Sequence, residues 1–496
     1  MKLLMIGMDG AHIEAFKRGW TPVIQSMIET QHQYKIKNDL LSRGWLEIAT
    51  GQHAAITSAM YDKPSCRGTL DWSLEFKFSD SGVNSGKVVP LWHAVNKLGY
   101  KVGVMNLPTT FPAPEVSGFF VSGGGGGAPV TESATPELCY PQEIVSLLSE
   151  HGYIVDQRLY QLVVDKNKKN ALDIFTQLQR KNHLRTQAFL ELDKRFEVDF
   201  GFIVYKTAAV FAETFLHTEQ VRIQNPENTK DQATLSALEA YYRAFDKEIL
   251  ALKQAYPDAD FMFVSDHGTE IRKSTFNPNV LLEEAGLFFK SKKNSVLKKS
   301  VALLKRVVPF WLKAFLKKNV SKSAQSVGGF GFDVGRTKVF CKSFGDWRHG
   351  LYVNDMDRFG GPVKAEEKQA LVCDVLELLK ANDILRQHNI SARAATERFS
   401  QPGTWFPDIV FDLPDGCLTN DQADRLLQEF RPTKSNTALQ LIMRGDILSI
   451  KSHWPLFVTS IEPHRATPSE SDLTAVYELV VKYFDTLDQE SAHNEA

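Results

Sequence analysis

The sequence has little that would hold it together by cross-links and nothing that would hold it in a membrane. Five cysteines occur in 496 residues, Cys66, Cys139, Cys341, Cys373 and Cys417. They are scattered, odd in number and without C-x-x-C spacing, which excludes a disulfide framework and a thiolate zinc site and points to a reducing, cytoplasmic setting. No run approaches the ~18 apolar residues of a spanning helix. The opening Met1 to Asp9 is too short an apolar stretch for a signal peptide and runs into an acid. Charge of one sign is lacking as well: Lys and Arg number 58 against 59 Asp and Glu, a net charge of −1. No global field is therefore available for a nucleic-acid backbone, and no nucleic-acid partner is expected. Internal repeats are absent. What remains is 43% hydrophobic and 24% charged, the composition of a globular chain long enough for one large domain with insertions or for two to three units.

Hydrophobic patterning orders the chain. Residues 2 to 8 form an apolar run that ends on Asp9-Gly10, which reads as a buried strand delivering an acid at its C-terminal edge. Comparable runs recur at Lys101–Met105, Phe200–Tyr205 and Phe261–Ser265, each preceded by a helix-like segment, with Trp92–Leu98, Thr186–Phe196 and Ala233–Ala255 the clearest. Strands alternating with longer helical patterns predict an α/β fold, a mostly parallel central sheet with helices on both faces. Residues 1–285 would form this core. Residues 286–332 read as a basic amphipathic helical insertion. From Lys290 to Lys322 there is no acid, and Val301, Leu304, Val308, Trp311 and Phe315 fall near helical spacing. Segment 290–322 suits peripheral contact with the inner membrane surface or an anionic substrate, or else a solvated surface helix. Residues 333–486 would complete the core with a C-terminal α+β portion, using Gly350–Asn354, Val363–Leu379 and Asp408–Leu413, and 487–496 a frayed tail.

Two islands combine metal-ligand side chains with placement after a strand. Asp9 follows the first run, and Asp266-His267-Gly268 follows Phe261–Ser265. Open α/β sheets place their chemistry at the carboxyl ends of strands. Carboxylate oxygen and imidazole nitrogen are the zinc or manganese donors found where thiolates are missing. A lone Asp after a strand also serves as a turn former, so the Asp266-His267 pair is the more specific signal. The run Ser122–Gly127 could offer backbone N–H groups to a phosphate, but it lacks the Lys and Ser or Thr of a P-loop and reads as a loop at the site entrance.

Ile6-Gly7-Met8-Asp9-Gly10-Ala11, Trp45–Gly51, Pro90-Leu91-Trp92, Gly103–Pro112, Ser265–Gly268 and Asn279–Leu287 occur in an order that resembles the landmarks of the alkaline phosphatase superfamily, in its type I phosphodiesterase and nucleotide pyrophosphatase branch. Gly350–Asn354, Arg358–Val363 and Pro407–Phe411 resemble the branch's later landmarks, so the resemblance runs from Leu3 to Val480. It implies an alkaline phosphatase-like fold that cleaves or transfers a phosphate ester, with a Ser or Thr nucleophile and one or two divalent metals. Zinc is the expected metal, with Mn²⁺, Mg²⁺ or Ca²⁺ as alternatives. It also implies that Asp9, Asp266 and His267 share one metal that holds the nucleophile oxygen. A cation beside a hydroxyl lowers its pKa, and a second stabilises the leaving oxygen.

The sequence departs from the branch in two places. Counting back from Gly51 reaches Leu41 where the branch has its nucleophile. A one-residue deletion would put Ser42 at the metal, with Arg43 holding phosphoryl oxygens by its planar fork; a helix cap and a surface charge are the structural alternative. Sulfatase-type maturation needs a Cys-x-Pro-Ser-Arg-like context that this segment lacks. The second metal's Asp-x-x-x-His pair aligns with Ala209 and Glu213, so half that site is missing. Glu213 could still donate an oxygen, with His217 one turn further on, or both could lie on a solvated helix face. His453 matches the branch's C-terminal His, with His464 as alternative. Lys206 could replace part of a metal's charge or simply snorkel. Glu47 reads as a base or a salt-bridged structural acid. The expected activity is that of a metal-dependent phosphoesterase, phosphodiesterase- or pyrophosphatase-like, acting on a small-molecule, glycan-linked or lipid-linked phosphate ester. The alternatives are a binding or scaffold protein that kept the fold and lost turnover, and a one-metal sulfatase-like hydrolase.

Overall fold

The computed structural model describes the chain apart from residues 12, 62, 74–75, 84–85, 125–132, 157–170, 209–215, 217–231, 292–330, 344–349, 432–447, 465–471 and 496. An eight-stranded sheet forms the centre, in the order His32–Gln33, Phe457–Thr459, Asp260–Val264, Leu3–Met8, Phe200–Tyr205, Val102–Leu107, Gly118–Ser122 and Cys139–Tyr140. From Asp260–Val264 to Gly118–Ser122 the neighbours run parallel. Antiparallel pairs close the sheet at either edge. A parallel sheet must be covered on both faces, and every residue of Leu3–Met8, Val102–Leu107 and Phe200–Tyr205 is buried. The first strand shows the two-sided packing directly. Leu4, Ile6 and Met8 join the layer that contains Ala171–Phe196 and Gln232–Ala255. Leu3 and Met5 join the layer of Gly44–Thr50, Leu91–Lys97 and Thr474–Glu495, the period-two split of a strand.

This is the α/β architecture expected from the alternation of runs, and each expected strand has its counterpart. Beyond the core, Val339–Cys341, Leu351–Val353, Ile409–Asp412 and Ser391–Ala394 form a four-stranded antiparallel sheet. The helix Lys368–Ala381 packs on it through Val372, Val375 and Leu379. The last helix runs from Thr474 to Glu495. Leu487 packs beside the core, and Gln489 donates to Asp485 one turn back. Most of the basic insertion, 292–330, lies outside the described residues. Among those described, no helix is long and apolar enough to cross a membrane. A two-stranded element adjoins the end of Asp260–Val264: Gly268–Ile271 pairs antiparallel with Ser449–Ser452 just past the sheet's edge.

Candidate active site

Strand register brings the two acids together. Leu3–Met8 and Asp260–Val264 run parallel with Leu3 opposite Asp260 and Gly7 opposite Val264. Two residues beyond that last pair, on both strands, stand Asp9 and Asp266. On the other side Met8 pairs with Tyr205, so the next residue, Lys206, comes abreast of Asp9. His267 follows Asp266 at once, and Asp9, Asp266 and His267 each offer a ligand atom within 4.8 Å of the others. His267 Nε2 lies 3.9 Å from Asp9 Oδ1 and 3.6 Å from Asp266 Oδ2. All three side chains are buried.

The surrounding contacts hold this geometry. His267 Nδ1 donates to the Gly268 carbonyl at 2.6 Å, which leaves Nε2 as the acceptor facing the carboxylates. Trp45 Nε1 donates to Asp9 Oδ2 at 2.9 Å. Gly7 makes that possible, because a Cβ there would meet the Trp45 ring at 2.7 Å. The Gly10 N–H donates to Asp266 Oδ1 at 3.2 Å, and Asn38 Nδ2 to the Asp266 carbonyl at 2.6 Å. Burial raises the pKa of Asp9, and the Asp266 charge adds to it, against His267, Lys451 and Lys206. Burial likewise raises Asp266, against Lys451 and the Gly10 N–H. Two buried carboxylates and an imidazole nitrogen within 4.8 Å of one another are a donor set that fits a divalent cation, and zinc or manganese by ligand type.

The other expected residues make contacts of their own. Lys206 Nζ donates to Asp156 Oδ2 at 3.0 Å, and Lys181 Nζ to the same carboxylate's Oδ1 at 3.3 Å. Burial lowers the Lys181 ammonium to about 7, with Asp156 opposing. The buried Ser42 hydroxyl accepts the Ala54 N–H at 3.2 Å. Arg43 Nε donates to the Met60 carbonyl at 2.8 Å and a terminal nitrogen to that of Tyr61 at 3.3 Å. His453 has Nδ1 2.6 Å from the Asn38 carbonyl and Nε2 3.2 Å from that of Leu413. Glu213 and His217 lie outside the described residues, and His464 sits in a turn past the last sheet strand.

Two further groups do not stand out in the sequence. Lys451 hydrogen-bonds His267 Nε2 through its ammonium. His53 bridges Glu47, 2.7 Å from Nδ1, and Asp472, 2.9 Å from Nε2. Asp39, Glu47 and His53 form a second cluster of possible ligands. Burial alone would lower His53, but Glu47 and Asp472 overrule it and raise the imidazolium to about 11. A pocket of about 250 Å³ opens alongside, lined among others by Lys37, Asp39, Arg393, Arg398, His453 and Asp472.

The family model described as Type I phosphodiesterase / nucleotide pyrophosphatase matches residues 3–327. No curated protein matches the chain. Phosphonoacetate hydrolase from Sinorhizobium meliloti 1021, solved with phosphonoformate and with phosphonoacetate, is similar in structure, with a TM-score of 0.54 and 11% identity over 98% of this chain and 96% of that one. Murine ectonucleotide pyrophosphatase / phosphodiesterase 5 aligns at a TM-score of 0.43 and 11% identity, over 98% and 95%. The first likeness shows the fold; the second is too loose to add to it.

Proposed function

The chain belongs to the type I phosphodiesterase / nucleotide pyrophosphatase family, a family of phosphoric ester hydrolases, and on that premise we propose that it cleaves a phosphodiester or pyrophosphate bond where Asp9, Asp266 and His267 converge. The observation that carries the reading is their delivery from adjacent parallel strands, which sets His267 Nε2 3.9 Å from Asp9 Oδ1 and 3.6 Å from Asp266 Oδ2. Asp9, Asp266 and His267 would hold the cation, and zinc is the metal proposed. When bound, it supplies a Lewis acid for a phosphoryl oxygen and lowers the pKa of a neighbouring hydroxyl. Trp45 and the Gly10 N–H orient the carboxylates, and Lys206, abreast of Asp9, adds fixed positive charge for a developing anion. Ser42 is the proposed attacking hydroxyl. It lies two residues before Gly44, whose backbone packs on Asp266. The substrate proposed is a phosphate ester of a small molecule or of a glycan- or lipid-linked carrier. We place the chain in the cytoplasm, a reading supported by five cysteines that form no disulfide.

Hydrolysis of bis(p-nitrophenyl) phosphate by the full chain, with Zn²⁺, Mn²⁺, Mg²⁺ or Ca²⁺ added, tests the reading. Asp9→Asn and Asp266→Asn are expected to lose about 10³-fold or more in kcat/KM, since each removes a charged ligand of the cation that would act on the phosphoryl oxygen. Ser42→Ala is expected to lose a similar factor. Turnover unchanged in both Asp variants rules out the site, and turnover unchanged in Ser42→Ala alone rules out only the nucleophile. No turnover with any metal would leave the chain a binding protein on this fold.

A further inference from the structure

The chain brings its own cation to the position that a metal would take. Lys451 stands opposite Thr269 in the antiparallel pair of Ser449–Ser452 with Gly268–Ile271. Directly opposed residues in such a pair project to the same face. The Thr269 hydroxyl donates to the Gly10 carbonyl at 2.6 Å, so that face is turned towards the Asp9-Gly10 turn. From it the Lys451 ammonium reaches His267 Nε2 and lies 4.8 Å from the centre of the Tyr61 ring. The side chain is almost wholly buried, at 7% exposure. Its charge acts on Asp9 and on Asp266 alike. The limiting fact is chemical. With Nδ1 committed to the Gly268 carbonyl, His267 has one lone pair left, on Nε2. That lone pair can accept an ammonium hydrogen or bind a metal ion, but not both.

We propose that Lys451 is a built-in competitor for the cation position of Asp9, Asp266 and His267, so that a divalent ion binds there only by displacing its ammonium. The inference rests on the assignment of those three residues as metal ligands. It makes the site a place where one positive charge, covalently tethered, is exchanged for two from solution. A buried lysine facing two buried carboxylates compensates them in part, so the folded chain does not depend on a metal to hold them together. Metal affinity is correspondingly weaker than the three ligands alone would give.

Isothermal calorimetry of the chelator-treated full chain with ZnCl₂ and with MnCl₂ tests this, reading affinity and not activity. Lys451→Met and Lys451→Gln are expected to bind about tenfold tighter than wild type or better. Lys451→Arg, which keeps the charge, is expected to gain less than about threefold. Adding Asp266→Asn to Lys451→Met is expected to abolish the gain. Melting curves establish that each variant is folded, and Lys451→Gln is the one read if Lys451→Met is not. Affinity in both neutral variants equal to or below wild type overturns the proposal. Binding by Lys451→Met but not by wild type upholds it and removes the metal from the proposed reaction. Equal binding by both overturns it and leaves the metal assignment standing, and binding by neither overturns both.

Discussion

Gly44→Ala adds one methyl group where the helix Gly44–Thr50 meets the site, and the structure sets its consequences. A Cβ on Gly44 would lie 2.2 Å from the Asp266 carbonyl oxygen, 2.8 Å from its carbonyl carbon and 2.9 Å from its Cβ. Carbon and oxygen tolerate no closer approach than roughly 3.3 Å, so the helix start and Asp266 must part by about 1 Å. The neighbour is backbone, and it is anchored: Asn38 Nδ2 holds the same carbonyl at 2.6 Å, and the Gly10 N–H holds the carboxylate at 3.2 Å. Helix propensity works the other way, by up to about 1 kcal/mol in favour of Ala, and by less at a first helical position. Overpacking of about 1–3 kcal/mol outweighs it, so a net loss of about 1–2 kcal/mol in stability is expected. The functional loss is expected to be larger. Moving a ligand carboxylate by about 1 Å relative to Asp9 costs roughly 10²-fold in turnover. Urea unfolding and phosphodiester hydrolysis measure the two quantities. Gly335→Ala is the control, because its Cβ would meet only the Asp333 side chain, at 3.7 Å. Gly44→Ala with wild-type stability and turnover would refute the packing argument.

Trp45→Phe removes the indole donor 2.9 Å from Asp9 Oδ2 while keeping most of the ring. Zinc affinity should fall by about tenfold, with the fold intact by circular dichroism; unchanged affinity would show that the indole does not orient the carboxylate. His53→Gln removes the imidazolium between Glu47 and Asp472 and leaves Glu47, at 2% exposure, buried without its cation. A loss of about 3 kcal/mol is expected in denaturant unfolding. The same group gives the chain a pH dependence. Its folded pKa of about 11 is above the ordinary value of 6.5, so its stabilisation is complete below 6.5 and lost as pH rises towards 11. Asp472, lowered to about 2 because His53 and Thr474 outweigh burial, stabilises above 3.8 and fails as pH falls through 2. Wild type should therefore lose melting temperature above pH 6.5 with a slope that His53→Gln lacks; equal slopes would exclude His53 as the source.

What is legible in the sequence is what local periodicity and strand edges control. Apolar runs ending on Asp9 and Asp266 give two strands and two acids, and parallel pairing with no offset between those ends brings the acids side by side. Lys206 follows by the same count on the neighbouring strand. Glu47 leaves two readings open, base or salt-bridged acid. Its pairing with His53 bears out the ion pair, yet the third member, Asp472, is 419 positions from His53. Lys451 is hidden for the same reason in a sharper form. Ser449–Ser452 is four residues long and carries one apolar side chain, so it does not announce a buried strand. Its partner strand, Gly268–Ile271, belongs to the Asp266-His267 island, and only the pairing of the two reveals that the lysine faces carboxylates. A signal does exist, since a lysine two residues before a histidine, in a segment leading into the sheet, must either reach solvent or find an anion. Here its charge acts on Asp9 and Asp266, the two acids that the family resemblance assigns to a metal. A lysine capable of reaching a group of acidic ligands is therefore a reason to ask, before counting metals, whether the chain has supplied one of the cations itself.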